Sequence, residues 1–522
     1  MNSKQNKFYT ILALTTLALL VVGTTYAYFQ NQYGSASNAD VNVTTYTTDM
    51  LTFETGDAIN ITADQNTFAE GKGNATSSTF ARATLQANNK TNTATANYYV
   101  YLNISGNDFE YSKDSSSPEL LLSITDNSGN QVTKLTGLNY ITVTDGSNKS
   151  ISGFDITKSS DLLTLVDNKE ISASPKQIEE WNITITLVNY NYDQNANTGK
   201  SFSGKLMIQK EKKKTLADYV ISQYTGTQGE NGIYYHDSTL TNGAGDNSYR
   251  YAGASDQVNN YVCFGSNVTP CPTDNLYRII GVFGDQVKLI KYDYATSTLL
   301  GADGDYSQAY TATWNDSSYT SKYIGNNLAN IAGYTWNYKN NPSINYGNGS
   351  NEWSTSLFNK TNLNTNYLNK IGTTWSNLIE DTTWKVSGHT TSSVRPKVMY
   401  TAEITNATKT YGPENGTSKI GLMYVSDYGF AAAPSAWTSD MNSYSSSLIT
   451  SVNWMYMGLI EWTITPNSSN SGYVFYLGTD GNLATFYANS RCGARPVLYL
   501  KDSVAYTGGS GTKDSPITLE VW

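Results

Sequence analysis

Charged side chains are scarce in this chain. Only 15% of its 522 residues are Asp, Glu, Lys or Arg, and the acids outnumber the bases to give a formal charge of −9. A nucleic-acid binder needs a basic footprint, and docking on anionic lipid needs cations, so both partner classes are excluded. Histidine is scarcer still. His236 in "YYHDST" and His389 in "SGHTTS" are the two, both in polar contexts that read as exposed loops. Neither belongs to a His-Glu-x-x-His motif, so no ligand set for a catalytic zinc can be assembled and no cofactor or metal is expected. A Gly-x-Ser-x-Gly elbow is missing. The Gly-rich "GGSGTKDSP" of residues 508–516 has no strand-to-helix context, so it reads as a polar loop rather than a phosphate cradle. There are three cysteines. Cys263 and Cys271 flank "CFGSNVTPC", and Cys492 is left over. That spacing fits no usual zinc site. In an oxidising compartment it suits a loop-closing disulfide, and free thiols are the alternative.

Long apolar runs are missing too, with one exception at the start. Met1 to Lys7 carries two lysines and no acid, and from Phe8 to Phe29 no residue is charged. At about 1.5 Å rise per residue such a helix just crosses a hydrocarbon core of roughly 30 Å. Its basic flank keeps the start in the cytoplasm and sends everything after residue 30 outside. Ile11 to Gly23 also has the length of a signal-peptide core, and Thr25-Tyr26-Ala27 offers small residues for cleavage after Ala27. Residues 1–29 are therefore either a signal peptide or an N-terminal membrane anchor, with the same topology in both cases. The C-terminal "SPITLEVW" has neither a hydrophobic tail nor a Leu-Pro-x-Thr-Gly sorting motif, so the cell envelope is expected to be engaged through the N-terminal helix.

What is abundant is aromatic and amide-rich. Tyr and Gly each number 41, and 12% of residues are aromatic. Solubility then comes from hydroxyls and amides, a composition of β-rich exterior proteins. Residues 30–209 read as a β-sandwich. Ala94, Ala96, Tyr98, Val100, Leu102 and Ile104 alternate with polar neighbours, as do Trp181, Ile183, Ile185 and Leu187. "LLLSITDNSGNQVTKL" places turn residues between two expected strands, and "ITVTDGSNKSI" carries an Asp-Gly turn. The charge run 210–214 in "IQKEKKKTLADYV" marks a linker, because the period changes from strand to helix across it. Leu216, Tyr219, Val220 and Tyr224 recur at helical spacing behind Thr215 as N-cap.

Residues 215–522 read as a mixed α+β domain. "LYRIIGVFGDQVKLIKY" is a hairpin over 276–283 and 286–292, with Gly284-Asp285 suited to a type II′ turn. Trp353, Leu357, Phe358, Tyr367, Leu368 and Ile371 are spaced for short helices. "EWTITPNSSNSGYVFYLGTDGNLATFY" gives strand, then a hairpin with an Asp480-Gly481 turn.

Two resemblances follow from these residues. The leader ending "TTYAYF" with a sandwich directly behind it resembles, over about 210 residues, the camelysin and TasA type of exported surface and matrix-fibre proteins. Some of that family were described as metalloproteases, a chemistry this segment lacks the histidines to support. In the second half, Tyr277-Arg278-Ile279-Ile280, Trp353-Ser354 with Leu363-Asn364, Trp462-Thr463-Ile464-Thr465-Pro466 and Gly493-Ala494-Arg495-Pro496-Val497-Leu498 occur in the order of an uncharacterised extracellular domain family of Gram-positive gut bacteria. The end of that pattern is similar to the C-type-lectin-like fold shared with formylglycine-generating enzymes, whose copper-binding cysteine pair this chain does not match. The resemblance implies an extracellular module and supplies no activity. Arg495 before Pro496 reads as a buried arginine held by carbonyls or a carboxylate, and Trp353 and Trp462 as core anchors before sugar platforms.

The expected function is a bacterial surface or secreted protein that displays a binding or adhesion module on a β-sandwich stalk, for a glycan or protein ligand, with no catalytic set. Trp437, Trp454 and Trp462 are the candidate ligand-facing aromatics; burial of all three would remove the sugar-platform version. The alternatives are a matrix or fibre subunit joined by strand addition and a glycan or cell-wall hydrolase. Glu461-Trp462 and Glu352-Trp353 are the acid-plus-aromatic contexts to inspect for the hydrolase. Asp303-Gly304-Asp305 is read as a turn in preference to a Ca²⁺ loop.

Overall fold

The computed structural model describes residues 48–88, 92–159, 162–309, 331–412, 419–449 and 451–521. The leader and its cleavage position after Ala27 lie outside the described residues. Among those described, no helix is long and apolar enough to cross a membrane. The chain is mainly β, built of several antiparallel sheets, and it divides into two compact units between Lys213 and Lys214.

The first unit consists of ten strands: β1 (Met50–Thr55), β2 (Ile59–Thr62), β3 (Ala75–Gln86), β4 (Ala94–Asn107), β5 (Leu120–Asp126), β6 (Tyr140–Thr144), β7 (Ser150–Asp155), β8 (Leu162–Ala173), β9 (Lys176–Leu187) and β10 (Ser201–Gln209). They form one sheet in the order β1-β3-β9-β5-β7-β6 and another in the order β2-β10-β4-β8. The period-two pattern explains the packing. Tyr98, Val100, Leu102 and Ile104 of β4 and Ile183, Ile185 and Leu187 of β9 belong to one buried cluster, and the residues between them are more exposed, except Tyr101 and Thr186, which are buried too. A polar chain crosses the layers, since the Trp181 indole N–H donates to the Tyr98 hydroxyl at 2.8 Å and that hydroxyl donates to Glu179 at 2.7 Å. Asp145 accepts the amides of Ser147 and Lys149, closing the β6–β7 turn. Asp126 does the same for Ser128 and Asn130, but the segment beyond it makes only an isolated bridge at Gln131 rather than a strand.

The second unit opens with α1 (Leu216–Ser222). The Thr215 hydroxyl accepts the Asp218 amide while the Asp218 carboxylate accepts the Thr215 amide, a complete capping box. The main sheet comprises β11 (Ile233–His236), β12 (Ser248–Tyr251), β14 (Leu276–Phe283) and β15 (Gln286–Lys291), then strands Val497–Leu500 and Ile420–Gly421. Strand β13 (Tyr261–Cys263) pairs with β14. The β14–β15 turn has Gly284 at φ +62°, as a type II′ turn requires at its first position. A bulge lies between Ile279 and Gly281, where a Cβ on Gly281 would stand 2.3 Å from the Tyr249 carbonyl oxygen, so β12 can approach only a glycine. Start and end of the unit meet: Thr215 bridges Ala505, and Val262 bridges Ile517.

This unit's core is unusually rich in indole. Trp336, Trp353, Trp384, Trp437, Trp454 and Trp462 are all fully buried. Each of the three tryptophans expected to face ligand donates its N–H to a core carbonyl at 2.8 Å: Trp437 to Ala432, Trp454 to Tyr251 and Trp462 to Tyr334. The expectation of Trp437, Trp454 and Trp462 as ligand-facing aromatics is thus corrected. Burying the ring gains hydrophobic free energy and the internal carbonyl satisfies the one polar atom, which leaves nothing to present to a sugar.

Candidate functional site

The buried polar groups of the second unit account for most of the residues singled out from the sequence. Arg495 makes a two-pronged ion pair with Glu461, Nε to Oε1 at 2.7 Å and Nη2 to Oε2 at 2.8 Å, and also donates to the Met455 carbonyl at 2.7 Å. Burial pushes the Glu461 carboxyl up, against the Arg495 charge beside it. Glu352 holds Lys409 at 2.6 Å and takes a hydrogen bond from the Tyr411 hydroxyl. Both acid-plus-aromatic contexts are thereby tied into the fold. Asp305 accepts the Thr335 hydroxyl and the amides of Tyr338, Lys339, Leu357 and Phe358. A carboxylate so fully occupied by N–H and O–H donors organises three loops and has no lone pair left for a cation. Among the described residues no three His, Cys, Asp or Glu side chains are grouped to hold a metal ion.

His236 is not the exposed loop residue its sequence context suggests. It ends β11, is fully buried, accepts the Ala244 amide at Nδ1, and packs against Phe430 and Trp437. Burial, with the Arg250 charge beside it, holds its pKa well below the ordinary histidine value. Its neighbour Asp237 instead caps the following turn through Thr239 and Leu240. His389 forms an isolated parallel bridge with Asn467, its Nε2 3.1 Å from the Ser392 carbonyl oxygen. Cys263 and Cys271 are joined in a disulfide, and Cys492 is a buried free thiol whose pKa burial raises.

What the sequence did not single out is a cleft of about 390 Å³ on this unit. It lies where the β14–β15 turn, the end of the Val497–Leu500 strand and segment 380–385 converge. Phe283, Tyr400, Tyr424 and Tyr499 supply aromatic surface. Asp246, Gln286, Glu380, Asp381, Thr382, Thr383 and Lys385 supply acceptors and donors. The volume falls within the range of small-molecule sites. The rings are held in place. The Tyr424 hydroxyl accepts the Lys385 amide at 3.0 Å, and burial raises the Tyr400, Tyr424 and Tyr499 phenol pKa values, so all three stay neutral.

Beneath the rings lies a buried network of two acids and two bases. Asp246 accepts from Arg250 at 2.6 Å and from the Ser248 hydroxyl at 2.6 Å; these contacts outweigh its burial and hold its pKa below the ordinary carboxylate value. Arg250 Nη1 lies 3.9 Å from Asp427 Oδ1, and Lys288 Nζ lies 2.6 Å from Asp427 Oδ2. The Arg250 guanidinium stacks 4.6 Å from the Phe283 ring centroid and 5.3 Å from that of Tyr400. Cations under the ring faces position the aromatic floor, and the opposite charges balance.

Glu403 is buried nearby, next to the cleft residue Ile404. Its carboxylate accepts the amides of Val425 and Ser426, both at 3.0 Å, and the Thr465 hydroxyl. Burial nevertheless pushes it up to about 7. These groups were not found from the sequence because Asp246, Glu380, Tyr400, Tyr424 and Tyr499 span some 250 positions and form no local motif.

Comparison with protein-family models, with curated proteins and with solved structures yields no match to this chain.

Proposed function

We propose that the protein is a bacterial cell-surface or secreted binding protein whose C-terminal unit takes a polyhydroxylated ligand, a glycan, into the tyrosine-and-carboxylate cleft. The observation that carries this reading is the lining itself. Neutral rings offer faces to the apolar side of a sugar, while Asp381, Glu380, Gln286 and the two threonines offer acceptors and donors to its hydroxyls. The role that sequence reasoning gave to tryptophans passes to Tyr400 and Tyr499. Export rests on the uncharged stretch behind a basic start, and the sandwich that follows it in the chain would serve as stalk. Kinship with the extracellular domain family of Gram-positive gut bacteria, and a C-type-lectin-like course, are part of this proposal. They draw support from the pairing of the unit's beginning with its end at Thr215–Ala505 and Val262–Ile517.

A glycan array probed with the full chain tests the reading. Wild type should retain at least one glycan class. Tyr400→Ala should lose about tenfold or more in affinity, the scale of one stacked ring and its contacts. No retained glycan, or equal retention by the variant, would refute it. Cleavage of a retained glycan would shift the reading to the hydrolase.

A further inference from the structure

The Lys288–Asp427 pair under the cleft has a geometry suited to more than charge pairing. We propose that the Lys288 amine and the Asp427 carboxyl condense into an intramolecular amide, a covalent cross-link between β15 and the helix Val425–Ala431. The inference is independent of what the cleft binds.

Four observations support it. First, the two groups are already in contact: Lys288 Nζ and Asp427 Oδ2 are 2.6 Å apart, a hydrogen bond that sets the amine beside the carboxyl carbon it would attack. Second, both side chains are at most 2% exposed, so the pair is removed from bulk water. Third, aromatic rings enclose Nζ, with centroids of Tyr424 at 4.3 Å, Tyr499 at 5.1 Å, Phe283 at 5.6 Å and Trp384 at 5.7 Å. Such a wall excludes the bulk water that would reverse the step. Fourth, the positive charge of Arg250 lies beside the other oxygen, Nη1 3.9 Å from Oδ1, where negative charge develops when the amine adds to Cγ. Glu403, bonded to the amides of the two residues before Asp427, sets a second buried carboxyl beside the pair.

The step balances without a co-reactant. Nζ attacks Cγ, and the tetrahedral centre carries its charge on Oδ1 toward Arg250. The Cγ–Oδ2 bond then breaks, and Oδ2 leaves as water with the proton first passed from the ammonium and a second from Nζ. One amide and one water are formed from one amine and one acid, with no oxidation or reduction. The product ties together positions 139 residues apart.

Peptide mapping of the full chain after reduction, alkylation and trypsin digestion tests the proposal. The expected result is a branched peptide joining the segments around Lys288 and Asp427, one water lighter than their sum, with no cleavage after Lys288. Lys288→Met and Asp427→Ala should each lack it. If wild type yields the two segments separately, with trypsin cutting after Lys288, the pair is an ordinary buried ion pair and the proposal is overturned. That result rests on wild type alone and does not depend on whether either variant folds.

Discussion

Replacing Arg495 by Met would expose how much the C-terminal unit depends on its buried ion pair. The substitution removes both hydrogen bonds to Glu461 and the one to the Met455 carbonyl, and leaves a carboxylate 1% exposed with no counter-charge. Breaking one side of such a pair costs about 3–5 kcal/mol. A second route gives a similar figure. Glu461 can escape by taking a proton, which at pH 7 costs about 1.4 kcal/mol per unit above its ordinary 4.5, or about 3.4 kcal/mol. The two estimates agree on about 3–4 kcal/mol, a few-hundred-fold or larger change in the unfolding equilibrium. The penalty should shrink as pH falls toward 4.5, because the unpaired acid then protonates at little cost. The double variant Arg495→Met with Glu461→Leu should recover most of the loss, since neither charge remains to be desolvated. Denaturant unfolding of the full chain followed by tryptophan emission suits the measurement, because nine of the ten tryptophans lie after Lys214. A loss below about 1 kcal/mol, or a double variant no more stable than the single one, would refute the reasoning.

Three further outcomes follow from the same structure. Glu403 has a folded-state pKa above its ordinary 4.5, at about 7, so its contribution to stability is complete below 4.5 and is lost as pH rises to 7, by about 3 kcal/mol in total. The difference between wild type and Glu403→Gln, measured by denaturant unfolding from pH 4.5 to 8, should carry that slope; a flat difference contradicts it. Reducing the Cys263–Cys271 bond, which spans eight positions, should destabilise the unit by about 2.5 kcal/mol on the loop-entropy estimate, read as a lowered denaturation midpoint in reductant. Trp462→Ala should cost about 3–5 kcal/mol in the same assay, and a fully stable variant would contradict its place in the core.

The sandwich was legible because its information is local. One buried face of a strand demands alternation, and Tyr98, Val100, Leu102 and Ile104 of β4 and Ile183, Ile185 and Leu187 of β9 keep it, although Tyr101 and Thr186 between them are buried as well. Thr215 and Gly284 were legible for the same reason, since a cap and a type II′ turn each need particular residues at fixed offsets. The role of Trp454 and Trp462 was misread because an indole's fate depends on whether a distant carbonyl meets its N–H, and that of Trp437 because the elements that bury its ring, around His236 and Phe430, are not visible locally. Tyr251, which holds Trp454, is 203 positions away. His236 was misread because "YYHDST" is polar in sequence, yet its backbone pairs with Ser248 and its ring turns inward. The cleft was invisible because its lining comes from six separated segments, and Lys288 and Asp427 are 139 positions apart.

The central claim, ligand capture by the tyrosine-and-carboxylate cleft, is tested most directly by a crystal structure of the protein with the glycan it retains best on an array. The account predicts sugar density against the Tyr400 or Tyr499 ring, with a hydroxyl within hydrogen-bonding distance of Glu380 or Asp381. Density seated elsewhere on the chain, with the cleft unchanged, would contradict it.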